Sequence, residues 1–152
     1  MMRMMLVLSA LTALGCHRTD ETPIAAMAKA STHDSELSPP RPILHVRNFA
    51  ASTAYYRDAL GFKLEWDWGT PPDFGAVSRG DAVIFLCEAC ASSLGAWNMI
   101  FARNVDKLHD ELRQRRAIIR QPPTNMPWGM REMQVSDPDG NVIRFGTGLP
   151  EE

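Results

Sequence analysis

The alternation of hydrophobic and polar positions predicts two copies of one structural unit between residues 41 and 148. The segments "ILHVRNF" at residues 43–49 and "MIFARNV" at residues 99–105 are both apolar runs that close on Arg-Asn. A stretch with helical spacing of apolar residues follows each run, and strand-like segments follow each helix. The two units also end alike, with "GDAVIF" in the first and "GNVIRF" in the second. Each unit is therefore predicted as a strand, a helix and about three further strands.

One such unit is too small to bury its own sheet face and needs its twin. The predicted fold class is therefore α+β, with two paired βαβββ modules that form a curved mixed sheet around a cleft, helices outside. The first helix is expected to end at Gly61, and the second to bury Val105, Leu108 and Leu112 on one stripe. His109 falls off that stripe and is expected to face solvent.

The segment "FKLEWDW" shows strict alternation, which predicts one face formed by Phe62, Leu64, Trp66 and Trp68. Core packing is expected for Phe62 and Leu64, and also for Phe101 on a later strand. The stretch "DPDGNVIRF" from Asp137 to Phe145 predicts a turn that enters a strand, because Pro and Asp-Gly precede an apolar run. Arg144 in that run is unusual unless its face of the strand lines a polar space.

The first residues are expected to lie outside the folded domain. "MMRMMLVLSALTALGC" has one positive charge and then an apolar run that is too short to span a bilayer. It resembles a bacterial lipoprotein signal with Cys16 as the lipidated residue, although Ala13 and Leu14 depart from the preferred pattern. An ordinary signal peptide and a spurious upstream start remain as alternatives. The expected order is signal peptide 1–16, flexible tether 17–40, folded domain 41–148 and tail 149–152.

Composition and motifs narrow the range of functions that the sequence supports. The formal net charge is -2, which gives no electrostatic case for nucleic acid. No Ser-His-Asp arrangement, glycine-rich phosphate loop or paired carboxylate set is present in the sequence, so no catalytic residue is assigned. Cys87 and Cys90 in "CEAC" leave three alternatives open, which are a local disulfide, free thiols, and a redox or metal role.

The ordered set "AYYRDALGF", "DFGAVSRGD", "PWGMRE" and "DPDGNVIRF" resembles the vicinal-oxygen-chelate superfamily, and more closely its glyoxalase/bleomycin-resistance proteins. The resemblance covers residues 42–146. It implies metal-ligand positions in enzymes of the superfamily, which fall here on Arg41, Ile84, Trp97 and Arg144. None is a usual ligand of a divalent metal, so we expect neither metal nor other cofactor.

Two interpretations of Arg144 remain open, a salt bridge to an acid such as Glu132 and a contact to an anionic ligand group. His45 shares a strand face with Arg41 and is either a cleft-wall residue or a metal ligand or base. The resemblance also implies aromatic stacking of a ligand, for which Trp68, Phe74 and Trp128 are the main candidates. The candidate ligand-binding residues are therefore Trp68, Phe74, Trp97, Trp128, Arg144, His45 and Arg41.

The expected function is capture of a planar or cationic aromatic compound by a metal-free homodimer, each cleft drawing on both chains. The alternatives are an enzyme of the same superfamily, a lyase or dioxygenase, and an envelope lipoprotein that makes protein contacts only. The expected location is a bacterial membrane, through the lipid anchor, facing the periplasm or the cell exterior.

Overall fold

The computed structural model describes residues 39–91 and 93–150. Along the chain the elements are β1 Ile43–His45, α1 Phe49–Asp58, β2 Lys63–Gly69, β3 Pro72–Arg79, β4 Ala82–Cys87, β5 Trp97–Phe101, α2 Val105–Gln114, β6 Ile118–Met126, β7 Met130–Ser136 and β8 Val142–Gly148. The predicted signal peptide, Cys16 and nearly all of the predicted tether lie outside the described residues. No described helix is long and apolar enough to cross a membrane.

The internal repeat is confirmed, and with it the α+β class built from paired βαβββ modules. The first module forms a four-stranded sheet, sheet A, in the order β1-β4-β3-β2. The second forms sheet B in the equivalent order β5-β8-β7-β6. In both sheets the first strand pairs in parallel with the last, and the other pairings are antiparallel.

The repeated Arg-Asn endings are the starts of the two helices. Asn48 and Asn104 are the N-cap residues, and their side-chain oxygens accept hydrogen bonds of 2.8 Å from the amides of Ala51 and Lys107. Asparagine at this position satisfies a helix amide that has no partner within the helix. The two modules therefore use the same local chemistry to turn from strand to helix.

The helices cover one face of each sheet and share one hydrophobic core. The most deeply buried side chains come from both modules: Leu44, Tyr56, Leu60, Ile84, Leu86, Leu112, Met133 and Ile143. Tyr55 on α1 joins the modules, because its hydroxyl donates to the Ser136 carbonyl at 2.8 Å and accepts from the Ile118 amide at 2.9 Å. The faces of the sheets that the helices leave uncovered are the exposed faces on which the candidate site lies.

The predicted strict alternation of "FKLEWDW" is wrong, because β2 contains a bulge at Glu65. Leu64 pairs with Val77, whereas Trp66 pairs with Ala76, the next residue along β3. Val77 belongs to the core, so Leu64 lies on the core side of the strand while Trp66 and Trp68 lie on the exposed side. Phe62 is buried as expected, but Leu64 is 41% exposed at the sheet margin.

The first strands of both modules, β1 and β5, are sheet edges with exposed apolar side chains. Trp97, Met99 and Phe101 alternate along the exposed face of β5, and Ile43 is exposed on β1. Core packing of Phe101 is therefore wrong, since the residue is 77% exposed at the end of its strand. An apolar edge of this kind is a candidate interface with another chain.

Of the alternatives for "CEAC", the structure contains the local disulfide. Cys87 and Cys90 are bonded, with their Cα atoms 5.6 Å apart. Cys87 is the last residue of β4 and pairs with Phe74 on one side and His45 on the other. The disulfide therefore fixes the start of the loop after β4 next to the exposed face of sheet A.

Candidate ligand-binding site

The exposed face of sheet A is an aromatic surface. One row across the sheet runs Trp66, Ala76, Phe85 and Ile43, and the next runs Trp68, Phe74, Cys87 and His45. The rings of Trp66, Phe74 and Phe85 meet edge to face, with centroids 5.4 to 5.7 Å apart. This geometry is the one that aromatic quadrupoles favour, so the three rings stabilise one another.

The candidates on this face differ in what they offer a ligand. Phe74 is half-buried inside the aromatic trio, so only part of its ring is available. Trp68 is 54% exposed and pairs with Phe74 at the strand end. His45 lies on the same face, and half-buried Arg41 lies two residues before the start of β1. The sequence pattern placed Trp66 on one face with Trp68, but Trp66 was not named as a ligand-binding candidate, and Phe85 was missed because equal spacing from the hairpin glycine assigned the position to Ile84.

On the exposed face of sheet B, Arg144 is bound to Glu132 and Trp128. The Arg144 guanidinium donates from Nη2 to Glu132 Oε2, and the Trp128 indole donates from Nε1 to Glu132 Oε1 at 2.7 Å. The guanidinium carbon lies 5.7 Å from the centre of the Trp128 ring, within cation–π range. The interpretation of Arg144 as the partner of Glu132 is confirmed, and the question of a ligand contact stays open.

The Glu132 carboxylate is deeply buried beneath neighbouring side chains. Glu132 is only 2% exposed. A Cβ placed on Gly146 would collide with the Met99 Cε and lie 2.9 Å from the Met130 Cε, so these methionines lie across the strand next to Glu132. Arg144 Nε is buried and has no hydrogen-bond partner in the described part of the chain. The cluster therefore holds an ion pair in a mainly apolar surface.

Trp97 lies on the same face of sheet B at the edge strand. It is 57% exposed, and the guanidinium carbon of Arg120 lies 6.0 Å from its ring centre. The structure thus brings Trp97, Trp128 and Arg144 together on sheet B, and Trp68, Phe74 and His45 on sheet A. The two groups lie on different sheets.

The metal-ligand positions do not fit a divalent metal. The assignment of Ile84 to one of these positions is wrong. Ile84 is buried in the core, and Phe85 occupies the position on the exposed face that corresponds to Arg144. Arg41, Trp97 and Arg144 supply no ligand atom, and both oxygens of Glu132 are engaged by Arg144 and Trp128. Within residues 39–91 and 93–150 no group of three or more His, Cys, Asp or Glu side chains could hold a metal ion.

The turn from Asp137 to Asn141 holds both faces in place. Asn141 donates from Nδ2 to the His45 carbonyl at 3.0 Å and accepts from the Ala96 amide at 3.0 Å, so it links the end of β1 to the start of β5. Asp137 accepts from the Tyr56 hydroxyl and from Asn141, and Asp139 accepts from Ser52 and Arg47. The predicted turn entering a strand is confirmed, and it also joins the two modules.

The pKa values of the two aspartates of this turn shift in opposite directions. Burial raises the pKa of Asp137 above its usual value, although hydrogen bonds from Asn141 and the Asp139 amide oppose the rise. Burial acts in the same direction on Asp139, but hydrogen bonds from Arg47 and Ser52 outweigh it and lower the pKa of that carboxyl. Burial also raises the pKa of Tyr56 well above its usual value, so its hydroxyl stays a donor.

Solved structures with the same fold include proteins that bind antibiotics. TioX from Micromonospora sp. ML1 has a TM-score of 0.64 at 18% identity, covering 74% of this chain and all of its own. TnmS3, an antibiotic binding protein from Streptomyces sp. CB03234, has a TM-score of 0.61 at 25% identity, covering 75% and 98%. The bleomycin-binding protein from Streptomyces verticillus, complexed with copper(II)-bleomycin, has a TM-score of 0.61 at 24% identity, covering 77% and 99%.

Comparison with curated protein sequences gave no significant match. The family model described as "Glyoxalase/Bleomycin resistance protein/Dioxygenase superfamily" matches residues 38–145, which is most of the chain. This match agrees with the paired βαβββ modules. The chain therefore belongs to the glyoxalase/bleomycin resistance protein/dioxygenase superfamily.

Proposed function

We propose that the protein is a metal-free binding protein that captures a planar aromatic molecule against the exposed faces of its sheets. The observation that carries the proposal is the Trp128 ring, which is 59% exposed yet held in place by a hydrogen bond to the buried Glu132. A ring fixed in this way loses little conformational freedom when a flat molecule stacks on it. The antibiotic-binding proteins with the same fold support small molecules as the class of ligand.

The structure favours planarity over positive charge as the property that is recognised. Glu65 lies next to the aromatic surface in sequence, but its carboxylate binds Lys63 at 2.7 Å and also accepts from Ser78. Asp67 pairs with Gly75 between the two aromatic rows, on the side of β2 opposite Trp66 and Trp68. The aromatic rings therefore dominate the surface.

Replacement of Trp128 by alanine tests the proposal. We expect fluorescence titration with bleomycin, phleomycin, planar dyes and phenolic acids to find a ligand, and Trp128→Ala to weaken its binding by about 1–3 kcal/mol. Trp128→Phe is the control, since it keeps a stacking ring and loses only the hydrogen bond to Glu132. If Trp128→Ala unfolds while the folded remainder binds with unchanged affinity, the residue belongs to the core and the assigned site is wrong.

We further propose that the functional unit is a homodimer, because residues 39–91 and 93–150 leave the edges β1 and β5 uncovered. Ile43, Trp97, Met99 and Phe101 expose apolar surface along these edges. Light scattering of residues 40–152 at tens of micromolar is expected to give the dimer mass, and Ile43→Glu is expected to shift it towards the monomer. Arg113→Glu on α2 is the control for added charge. A monomer mass for the unaltered protein would contradict the proposal.

We also propose that Cys16 anchors the mature protein to a membrane by a lipid. The apolar core that ends in "LGC" motivates this proposal. Fractionation of cells that express Cys16→Ser is expected to find the protein in the soluble or unprocessed fraction, whereas the unaltered protein stays with the membrane. Recovery of the unaltered protein from cytosol with its first residues intact would refute the anchor.

A further inference from the structure

A cleft lies apart from the aromatic faces, where the β3–β4 hairpin meets the connection from β5 to α2. Its volume is about 450 Å³, which is within the range of small-molecule sites. Its apolar lining comes from both modules and includes Phe62, Ala82, Ile100, Leu108 and Phe145. None of the seven candidate ligand-binding residues contributes to the lining, although Phe101 at the exposed end of β5 does.

The cleft also has a cationic rim. Arg79, Arg103 and Lys107 line it, and Glu111 is its one acidic lining residue. The Glu111 carboxylate is already engaged in ion pairs, with Arg79 at 2.7 Å and with Arg115 at 3.0 Å. The Arg79 guanidinium is engaged as well, because its Nη1 donates to the Leu60 carbonyl. Because Arg79 and Glu111 neutralise each other, the net positive charge of the rim comes from Arg103 and Lys107.

Arg103 and Lys107 are exposed, and neither side chain has an ion pair in the part of the chain that the structure describes. Both lie at the N-terminal end of α2, where the helix dipole disfavours positive charge. The nearby amides are occupied, since Val105 N–H donates to Thr147 and Lys107 N–H to Asn104. An anion in the cleft would therefore be held by these side chains.

We propose that this cleft binds an amphipathic anion, a small molecule with one carboxylate group on an acyl or aryl body. The apolar lining receives the body, and Arg103 and Lys107 bind the carboxylate at the rim. A neutral or cationic molecule of the same shape cannot form the ion pairs with Arg103 and Lys107. The site is therefore expected to bind the anion more tightly than either of them. This site is separate from the aromatic faces and does not depend on the function proposed for them.

Isothermal titration calorimetry tests the site with octanoate, 1-octanol and octylamine, which share one chain length and differ in charge. The four tryptophans lie outside the cleft lining, so calorimetry is preferred to fluorescence. We expect octanoate to bind at least roughly tenfold more tightly than the other two molecules. Absence of octanoate binding at millimolar concentration, or equal binding of all three molecules, would overturn the proposal.

Charge reversal at the rim is the second arm of the experiment. Arg103→Glu combined with Lys107→Glu is expected to weaken octanoate binding by about tenfold or more. Negative charge just before and within the first turn of α2 suits the helix dipole, so the protein is expected to stay folded. The control is Arg113→Glu combined with Arg116→Glu, which makes the same charge change at the other end of α2. Equal loss of binding in both double variants would overturn the proposal. Trp128→Ala is expected to leave octanoate binding unchanged.

Discussion

Asp137→Ala is expected to lower the free energy of unfolding by about 4 kcal/mol, because it removes one acceptor from several buried donors at once. The Asp137 carboxylate accepts from the Tyr56 hydroxyl at 3.2 Å, from Asn141 Nδ2 at 2.8 Å, and from the amides of Asp139 and Asn141 at 2.9 Å. Tyr56 and Asn141 are fully buried, so water cannot replace the lost partner. Urea unfolding followed by tryptophan fluorescence measures the change.

Asp81→Ala is the matched control, since Asp81 occupies the corresponding hairpin of the first module but is exposed. Its effect is expected to stay within about 0.5 kcal/mol. Tyr56→Phe removes a single donor and is expected to cost about 1 kcal/mol, which keeps the prediction testable if Asp137→Ala does not fold. A loss below about 1 kcal/mol for Asp137→Ala would show that the turn does not join the modules energetically.

Arg144→Ala is expected to lower the free energy of unfolding by about 3 kcal/mol, because it leaves the Glu132 carboxylate buried with only the Trp128 hydrogen bond. Chemical unfolding of the two proteins measures the loss. Arg131→Ala is the control on the neighbouring strand, since Arg131 pairs with the half-exposed Asp106. That surface pair is expected to contribute less than about 1 kcal/mol.

Replacement of both Arg144 and Glu132 by uncharged residues distinguishes the effect of the ion pair on stability from its effect on ligand binding. Glu132→Gln combined with Arg144→Met removes both charges and is expected to recover most of the stability lost in Arg144→Ala. If the double variant is as unstable as Arg144→Ala, the explanation by an unpaired buried carboxylate is wrong. In the stable double variant, a loss of ligand affinity would assign Arg144 a direct contact to the ligand.

Much of the fold could be predicted because its determinants repeat along the chain. The Arg-Asn endings recur because each module caps its helix with asparagine, at Asn48 and Asn104. The "DPDGN" turn was recognisable from its own residues. The Arg144–Glu132 pair was one of the two interpretations that the sequence left open for Arg144, and the structure contains it.

The site was harder to predict because it depends on register, which local pattern does not determine. Ile84 was assigned an exposed position that belongs to Phe85, since the two hairpins differ in length and equal spacing from the glycine does not give equal register. Phe101 was assigned to the core from its apolar character alone, although its side of β5 has no cover within the described chain. The choice of disulfide over free thiols at Cys87 likewise required the distance between two backbone positions.

The bulge at Glu65 makes the spacing of the residues after it more important than the bulged residue itself. Before the bulge, the phase of the strand directs Leu64 towards the core, and after it the same strand directs Trp66 and Trp68 outwards. Deletion of Glu65 would remove the bulge but keep Leu64 opposite Val77 and Trp66 opposite Ala76, so both indoles would stay on the exposed side. Deletion of Asp67 would instead place Trp68 opposite Gly75, on the side where Phe49 already closes on that glycine. The binding surface therefore withstands substitution or loss of the bulged residue, but it does not withstand a change in the number of residues that follow the bulge.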